Sequence, residues 1–201
     1  GASVESNAAP EATATEMAAG GSIGGRVRLQ SSELDECSGL GFSVRRPPYV
    51  WAHNDSGDQA RWLSFDSRNG ELAGSCQLKG AEAVDWEDMT IMPFASQKAG
   101  SQVADDEHHR GAQVDRSSLG PNDNLLVAAD CGDNSRSRRL ITLYACVEPD
   151  PRLETRVPPS RWASLQVRYP DGPMDCEAVW YDDQQDVIRL LGKQVTPWAS
   201  V

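Results

Sequence analysis

Tyr49-Val50-Trp51-Ala52-His53-Asn54-Asp55-Ser56-Gly57-Asp58 and Leu125-Leu126-Val127-Ala128-Ala129-Asp130-Cys131-Gly132-Asp133 are two versions of one pattern. In each, an apolar run ends in a short acidic turn, Asp-Ser-Gly-Asp or Asp-Cys-Gly-Asp. Another strand-like run follows, Arg61-Trp62-Leu63-Ser64-Phe65 in the first case and Leu140-Ile141-Thr142-Leu143-Tyr144 in the second. Short apolar runs bounded by Asp and Gly read as strands, because these residues favour turns and stop an extended segment cleanly. Recurrence of strand, acidic glycine turn and strand marks a structural repeat. It also sets carboxylates at corresponding points of successive units.

The resemblance extends outward from the turns. Polar or acidic patches lead into short apolar strands at Glu36-Cys37-Ser38-Gly39-Leu40, at Asp85-Trp86-Glu87-Asp88-Met89 and at Asp175-Cys176-Glu177-Ala178-Val179. In the third unit, Gly192-Lys193 stands where the acidic turn would be. The first unit supplies strand candidates at 39–44, 49–52, 61–65 and 71–78, with Asn69-Gly70 as a hairpin turn between the last two. The second supplies 89–92, 125–129, 140–146 and 162–169. Proline density between Pro149 and Pro159 predicts a loop there. Four short antiparallel strands per unit, with no amphipathic helix, is the pattern of a β-propeller blade. The expected fold is therefore all-β, a propeller-type repeat of four-stranded antiparallel blades, with about three blades present as a partial propeller.

Composition sets the limits. Residues 1–25 are rich in Ala, Ser, Thr and Gly, with too few large apolar side chains to offset the entropy of ordering, so a disordered tail is expected. The propeller-like domain then spans 26–201, with a loop insertion at 94–124 that is rich in Ser, Gln, Asp, His and Gly. A formal net charge of -11 argues against a nucleic-acid partner, which clustered Lys and Arg would recognise. Arg136, Arg138 and Arg139 sit beside the second acidic turn and read as its charge partners or as a solvated loop. No apolar run reaches the roughly 18 residues of a transmembrane helix. A polar tail behind a non-Met start fits a chain whose signal peptide has been removed, which predicts a secreted or periplasmic protein, lipid-anchored in one version of this reading. The five cysteines show no Cys-x-x-Cys spacing; they read either as buried strand residues or as one or two disulfides with an odd thiol left over.

Taken together, Ser38-Gly39-Leu40, Val50-Trp51-Ala52-His53-Asn54-Asp55-Ser56-Gly57-Asp58, Asp85-Trp86-Glu87-Asp88, Cys131-Gly132-Asp133-Asn134, Tyr169-Pro170-Asp171-Gly172-Pro173 and Asp175-Cys176-Glu177-Ala178 resemble, in order, the motifs of a family of exported bacterial β-propeller proteins. The resemblance covers roughly Ser31 to Lys193. It implies a propeller and, more distantly, kinship of architecture with phytase-like esterases and lactonases that use calcium or similar ions. Members of that family run on through further blades beyond the point matching Lys193, which is why a shortened propeller is expected.

The candidate metal ligands are Asp85, Glu87, Asp88, Asp55, Asp58, Asp130, Asp133, Asp175 and Glu177. Strand starts and inter-strand turns can gather on one face of a repeat fold, and carboxylates brought together repel unless a cation or protons intervene. Hard oxygen ligands with few His or Cys nearby favour calcium or magnesium over zinc, and calcium is the expected ion. Against this stands the ordinary use of Asp in turns, where it caps backbone N–H groups. Asp85 and Glu87 are better placed than the turn residues. His53 reads as a residue that fixes a turn ahead of a base or ligand, and His108-His109 as solvated loop. Trp51, Trp86 and Trp180 read as packing between blades, with ligand stacking by Trp86 the lesser alternative. Neither Ser38 nor Ser56 lies in a nucleophile motif, and no phosphate-binding loop occurs. Three readings of function follow: a binding module for an unknown protein or small-molecule ligand with an acidic, cation-binding face; a metal-dependent hydrolase of phosphoesters or lactones; or a truncated inactive copy.

Overall fold

The computed structural model describes residues 25–94, 120 and 122–193; the expected tail over 1–24 and nearly all of the insertion, His108 and His109 included, lie outside the described residues. The fold is all-β. Its strands are β1 (Cys37–Phe42), β2 (Tyr49–Asn54), β3 (Arg61–Asp66), β4 (Leu72–Leu78), β5 (Trp86–Pro93), β6 (Asn124–Asp130), β7 (Ile141–Val147), β8 (Glu154–Val157), β9 (Trp162–Val167), β10 (Cys176–Asp182) and β11 (Val187–Gly192). They form a five-stranded sheet β1-β2-β3-β4-β8, a four-stranded sheet β5-β6-β7-β9 and a two-stranded sheet β10-β11. All pairings are antiparallel except β4 with β8. Among the described residues there is no α-helix and no closed barrel or ring of sheets.

Alternation along the strands explains how the sheets stack. Trp51, Trp62, Cys76 and Leu78 of the first sheet pack with Trp86, Met89, Leu126, Ala128, Tyr144, Cys146 and Trp162 of the second. The opposite faces of the same central strands bury elsewhere: Val127, Ala129, Ile141 and Leu143 pack with Cys176 and Val179, and Val50, Ala52, Leu63 and Phe65 form a separate cluster. Strands buried on both faces need continuous apolar runs, which is what 49–52 and 125–129 are. Trp51 and Trp86 therefore pack as expected. Trp180 differs: it is 37% exposed on β10, where no further sheet covers it among the described residues.

The segment read as a pure loop, 149–159, holds β8, which leaves the second sheet between β7 and β9 and adds to the first sheet parallel to β4, pairing Ser75 with Glu154 and Leu78 with Val157. Proline at its ends hid it, because Glu154-Thr155-Arg156-Val157 itself is proline-free and β-competent. Gly74 makes room for this crossing: a Cβ there would fall 2.5 Å from the Leu153 carbonyl oxygen. A buried carboxylate fastens the same junction. Glu148, 1% exposed, accepts hydrogen bonds from Ser43 Oγ (2.5 Å), the Arg45 N–H (3.0 Å) and Trp51 Nε1 (3.1 Å). A lone acid at a strand end gave no hint of this in the sequence.

The first strands β1, β5 and β10 lie side by side, with β5 in the middle. Asp88 Oδ2 accepts the Val179 N–H at 2.8 Å, Thr90 Oγ1 accepts the Tyr181 N–H at 3.2 Å, and Ser38 Oγ donates to the Glu87 carbonyl at 2.5 Å. The same irregularity opens each of these strands. Register shifts between Cys37 and Gly39, between Trp86 and Asp88, and between Cys176 and Ala178. Such a bulge leaves one residue unpaired and bends the strand; here the residues are Ser38, Glu87 and Glu177. The backbone beyond the second strand repeats as well. The N–H of Asp55 donates to Glu36 O (2.9 Å), that of Cys131 to Asp85 O (3.1 Å) and that of Lys193 to Asp175 O (2.6 Å).

This register corrects the alignment drawn from the sequence. Matching the acidic turns sets Asp55 against Asp130, but the ladder sets Asn54 against Asp130, through their partners Cys37 and Trp86. Both side chains do the same work. Asn54 Oδ1 accepts the N–H groups of Asp35 and Glu36 at 3.1 and 3.2 Å, and the Asp130 carboxylate accepts those of Val84 and Asp85, both at 3.1 Å. Asp55, Cys131 and Lys193 are thus the corresponding residues of the three units.

Candidate functional site

Six of the nine sequence-nominated acids are engaged with protein donors. Asp58 accepts from Asn54 Nδ2 (2.9 Å), from Arg61 Nε (3.0 Å) and from the Gln59 N–H (2.7 Å). Asp130 is 1% exposed, caps the Val84–Asp85 turn and pairs with Arg138 at 2.8 Å. Asp133 accepts the Ser137 and Arg138 N–H groups at 2.9 and 2.7 Å. Asp88 ties β5 to β10 through Val179. Asp175 Oδ1 accepts the Asp133 N–H at 3.0 Å, and Glu177 pairs with Lys193 at 2.9 Å. Burial raises the Asp58 and Asp133 carboxyls, but their hydrogen-bond donors outweigh it and hold both below the usual range. These are the turn-capping roles that Asp fills in ordinary loops.

The remaining three converge. One carboxylate oxygen from each of Asp55, Asp85 and Glu87 lies within 4.8 Å of the others, and all three side chains are half-buried. Two chain features bring them together. Asp55 is the first residue past β2 in the first sheet, while Asp85 precedes β5 and Glu87 is its bulge residue in the second. The adjacency of β1 and β5 then brings the end of one unit against the start of the next. Gly132 forms the floor. A Cβ on it would collide with carboxylate oxygens of both Asp85 and Glu87, so only a glycine lets the two acids lie flat on the chain.

The electrostatics follow from this crowding. Burial, then the neighbouring charge of Asp55, pushes the Asp85 carboxyl up. Burial together with the charges of Asp55, Glu177 and Asp85 pushes Glu87 up to about 8. Among the described residues no protein donor reaches the Asp85 or Glu87 carboxylate, and Asp55 accepts only the N–H of Ser56, at 2.6 Å. Two cations flank this face: Arg138, paired with Asp130, partly offsets the rise at Asp85, and Lys193 pairs with Glu177 and stands 3.9 Å from Asp175. Oxygen ligands about 2.4 Å from a shared calcium can be no more than about 4.8 Å apart, a bound that the three oxygens meet.

The histidine and tryptophan lie in the core. His53 is 1% exposed, its Nδ1 donates to the Asn54 carbonyl at 2.7 Å, and burial lowers its basicity below the usual histidine value. Its Nε2 abuts Gly39, and its ring meets Trp86 edge-on at 5.5 Å. Trp86 also packs on Trp62 and Tyr144 at 5.1 and 5.9 Å. Of the basic cluster, Arg138 serves the second turn: beyond its pair with Asp130 it donates to the Gly132 carbonyl at 2.8 Å.

Sequence reasoning nominated all three converging acids but not their partner Gly132, and it gave Asn54 no role. The signal for Asn54 was its place at the end of the apolar run, where Asp130 stands in the second unit. Comparison with known protein families, with curated proteins and with solved structures gave no match.

Proposed function

We propose that this chain is a binding module of propeller type whose first and second repeat units together hold a divalent cation, calcium foremost, through Asp55, Asp85 and Glu87. One observation carries the reading: among the described residues the three converging acids receive a single protein hydrogen bond, from the Ser56 N–H to Asp55, while the other six are engaged by caps and ion pairs. Uncompensated carboxylates at such spacing need protons or a cation, and hard oxygen donors select calcium or magnesium. Three carboxylates in a half-buried setting suit an affinity of about 0.1–1 mM, the range of extracellular calcium modules, which fits an exported protein. The repeated bulge and the side-by-side first strands support reading the sheets as successive blades. The ion would be a fixed positive centre on an acidic surface, able to recruit a carboxylate or phosphate of a partner.

Thermal melts of chelator-stripped protein with added calcium, magnesium or chelator test this. The proposal expects calcium to raise the melting midpoint, and Glu87→Gln to abolish the rise. Identical midpoints under all three conditions refute it. Turnover of a generic phosphoester or lactone that requires calcium and Glu87 would replace the binding module with a hydrolase using the same ion as Lewis acid.

A further inference from the structure

Five cysteines are present, and four of them are fully buried. Their sulfurs are used in two ways. Cys37 Sγ donates to the Gly39 carbonyl, Cys131 Sγ to the Cys176 carbonyl and Cys176 Sγ to the Ala178 carbonyl, at 3.7, 3.4 and 3.6 Å. The Cys131 and Cys176 side chains also act on each other, but Cys76 and Cys146 are the pair whose Sγ atoms stand in direct contact, 3.8 Å apart. That is van der Waals contact between two sulfurs, and closing it to the roughly 2 Å of a bond takes the two side chains, with any backbone shift needed, to Cα atoms within about 7 Å of each other. Cys76 lies on β4 and Cys146 on β7, so the pair bridges the first and second sheets inside their shared core. The β8 crossing has already fixed these sheets against each other, since Lys79 N–H donates to the Val157 carbonyl at 2.9 Å and Trp162 Nε1 to the Lys79 carbonyl at 3.1 Å.

We infer that Cys76 and Cys146 form a disulfide that staples the two sheets and closes a loop across 70 residues. The oxidant is a small-molecule disulfide such as oxidised glutathione. The thiolate of one cysteine attacks it, forming a mixed disulfide and releasing one glutathione thiol; the thiolate of the other displaces the second. Two protein thiols and one glutathione disulfide thus give one protein disulfide and two glutathione thiols. Both sulfurs are sealed in the folded core, and the hydrogen bond with Cys76 and then burial push the Cys146 thiol up. The exchange therefore completes as the sheets come together, before the core closes. Once formed, the bond is shielded from reductant in the native state.

Refolding the reduced full chain in a glutathione redox buffer, alkylating under denaturing conditions and mapping peptides by mass spectrometry tests the assignment. The expected product is two hydrogens lighter, carries alkyl groups on Cys37, Cys131 and Cys176 only, and yields a linked Cys76–Cys146 peptide. Closing so long a loop should raise the melting midpoint by roughly 10 °C over the reduced protein. A Cys76→Ala/Cys146→Ala variant should lose the linked peptide and melt at one temperature with or without reductant. If that variant does not fold, the wild-type peptide map decides alone. Alkylation of all five cysteines, or a hydrogen loss that maps to Cys131–Cys176 with Cys76 and Cys146 both alkylated, overturns it.

Discussion

Asp55 and Glu87 belong to different sheets, yet their carboxylates, with that of Asp85, present oxygens within 4.8 Å of one another. One follows the second strand of the first unit and the other is the bulge residue opening the second unit. The contact exists only because β1 and β5 are neighbours. A cation here would be bound by the junction between repeats and not by either turn alone.

The crowding gives stability a pH dependence with a definite sign. Glu87 is raised from 4.5 to about 8 in the folded protein, so between those values the folded state holds a proton that the unfolded chain has released. Its contribution is complete below about pH 4.5 and is lost as pH climbs through about 8. Without metal, the melting midpoint should fall from pH 5 to pH 9, and Glu87→Gln should flatten that fall. Calcium should compete with the proton, so its stabilising effect should grow over the same range. Calorimetric scans at pH 5, 7 and 9, with chelator and with calcium, measure both trends.

Gly132 tests the floor of the site separately from its ligands. In Gly132→Ala the new methyl meets Asp85 and Glu87, and displaced ligands should cost about tenfold or more in calcium affinity. Competition with a chromophoric chelator reads that loss directly.

Asp130 is structural on this account, and its replacement should cost stability. Asp130→Ala leaves the Val84 and Asp85 N–H groups uncapped and Arg138 without its carboxylate, a loss of about 3 kcal/mol. Asp130→Asn should cost only about 1 kcal/mol, because Asn54 caps the corresponding turn as a neutral amide. Urea denaturation midpoints of the two variants give the comparison.

The strands were legible in the sequence because their apolar runs are short and sharply bounded, as at 49–52 and 125–129. β8 was not, since four residues between prolines carry no period and its pairing to β4 is long-range. The acids were found as a set, yet composition could not separate capping acids from convergent ones. Asp58 and Asp55 stand three residues apart in one turn, and only the position of Arg61 and of the neighbouring sheet divides their roles. The alignment of Asp55 with Asp130 failed for a related reason. The acidic motif begins one residue past β2 in the first unit but on the last residue of β6 in the second, and backbone pairing, not side-chain identity, sets the register.

Isothermal titration of calcium into chelator-stripped protein at pH 8 addresses the junction site most directly. The account predicts one ion per chain, with binding weakened about tenfold or more by each of Asp55→Asn, Asp85→Asn and Glu87→Gln. It also predicts unchanged binding in Asp182→Asn, whose carboxylate pairs with Arg189 on the third sheet. No saturable binding of calcium or magnesium by the wild-type chain, or binding that survives Glu87→Gln undiminished, would contradict it.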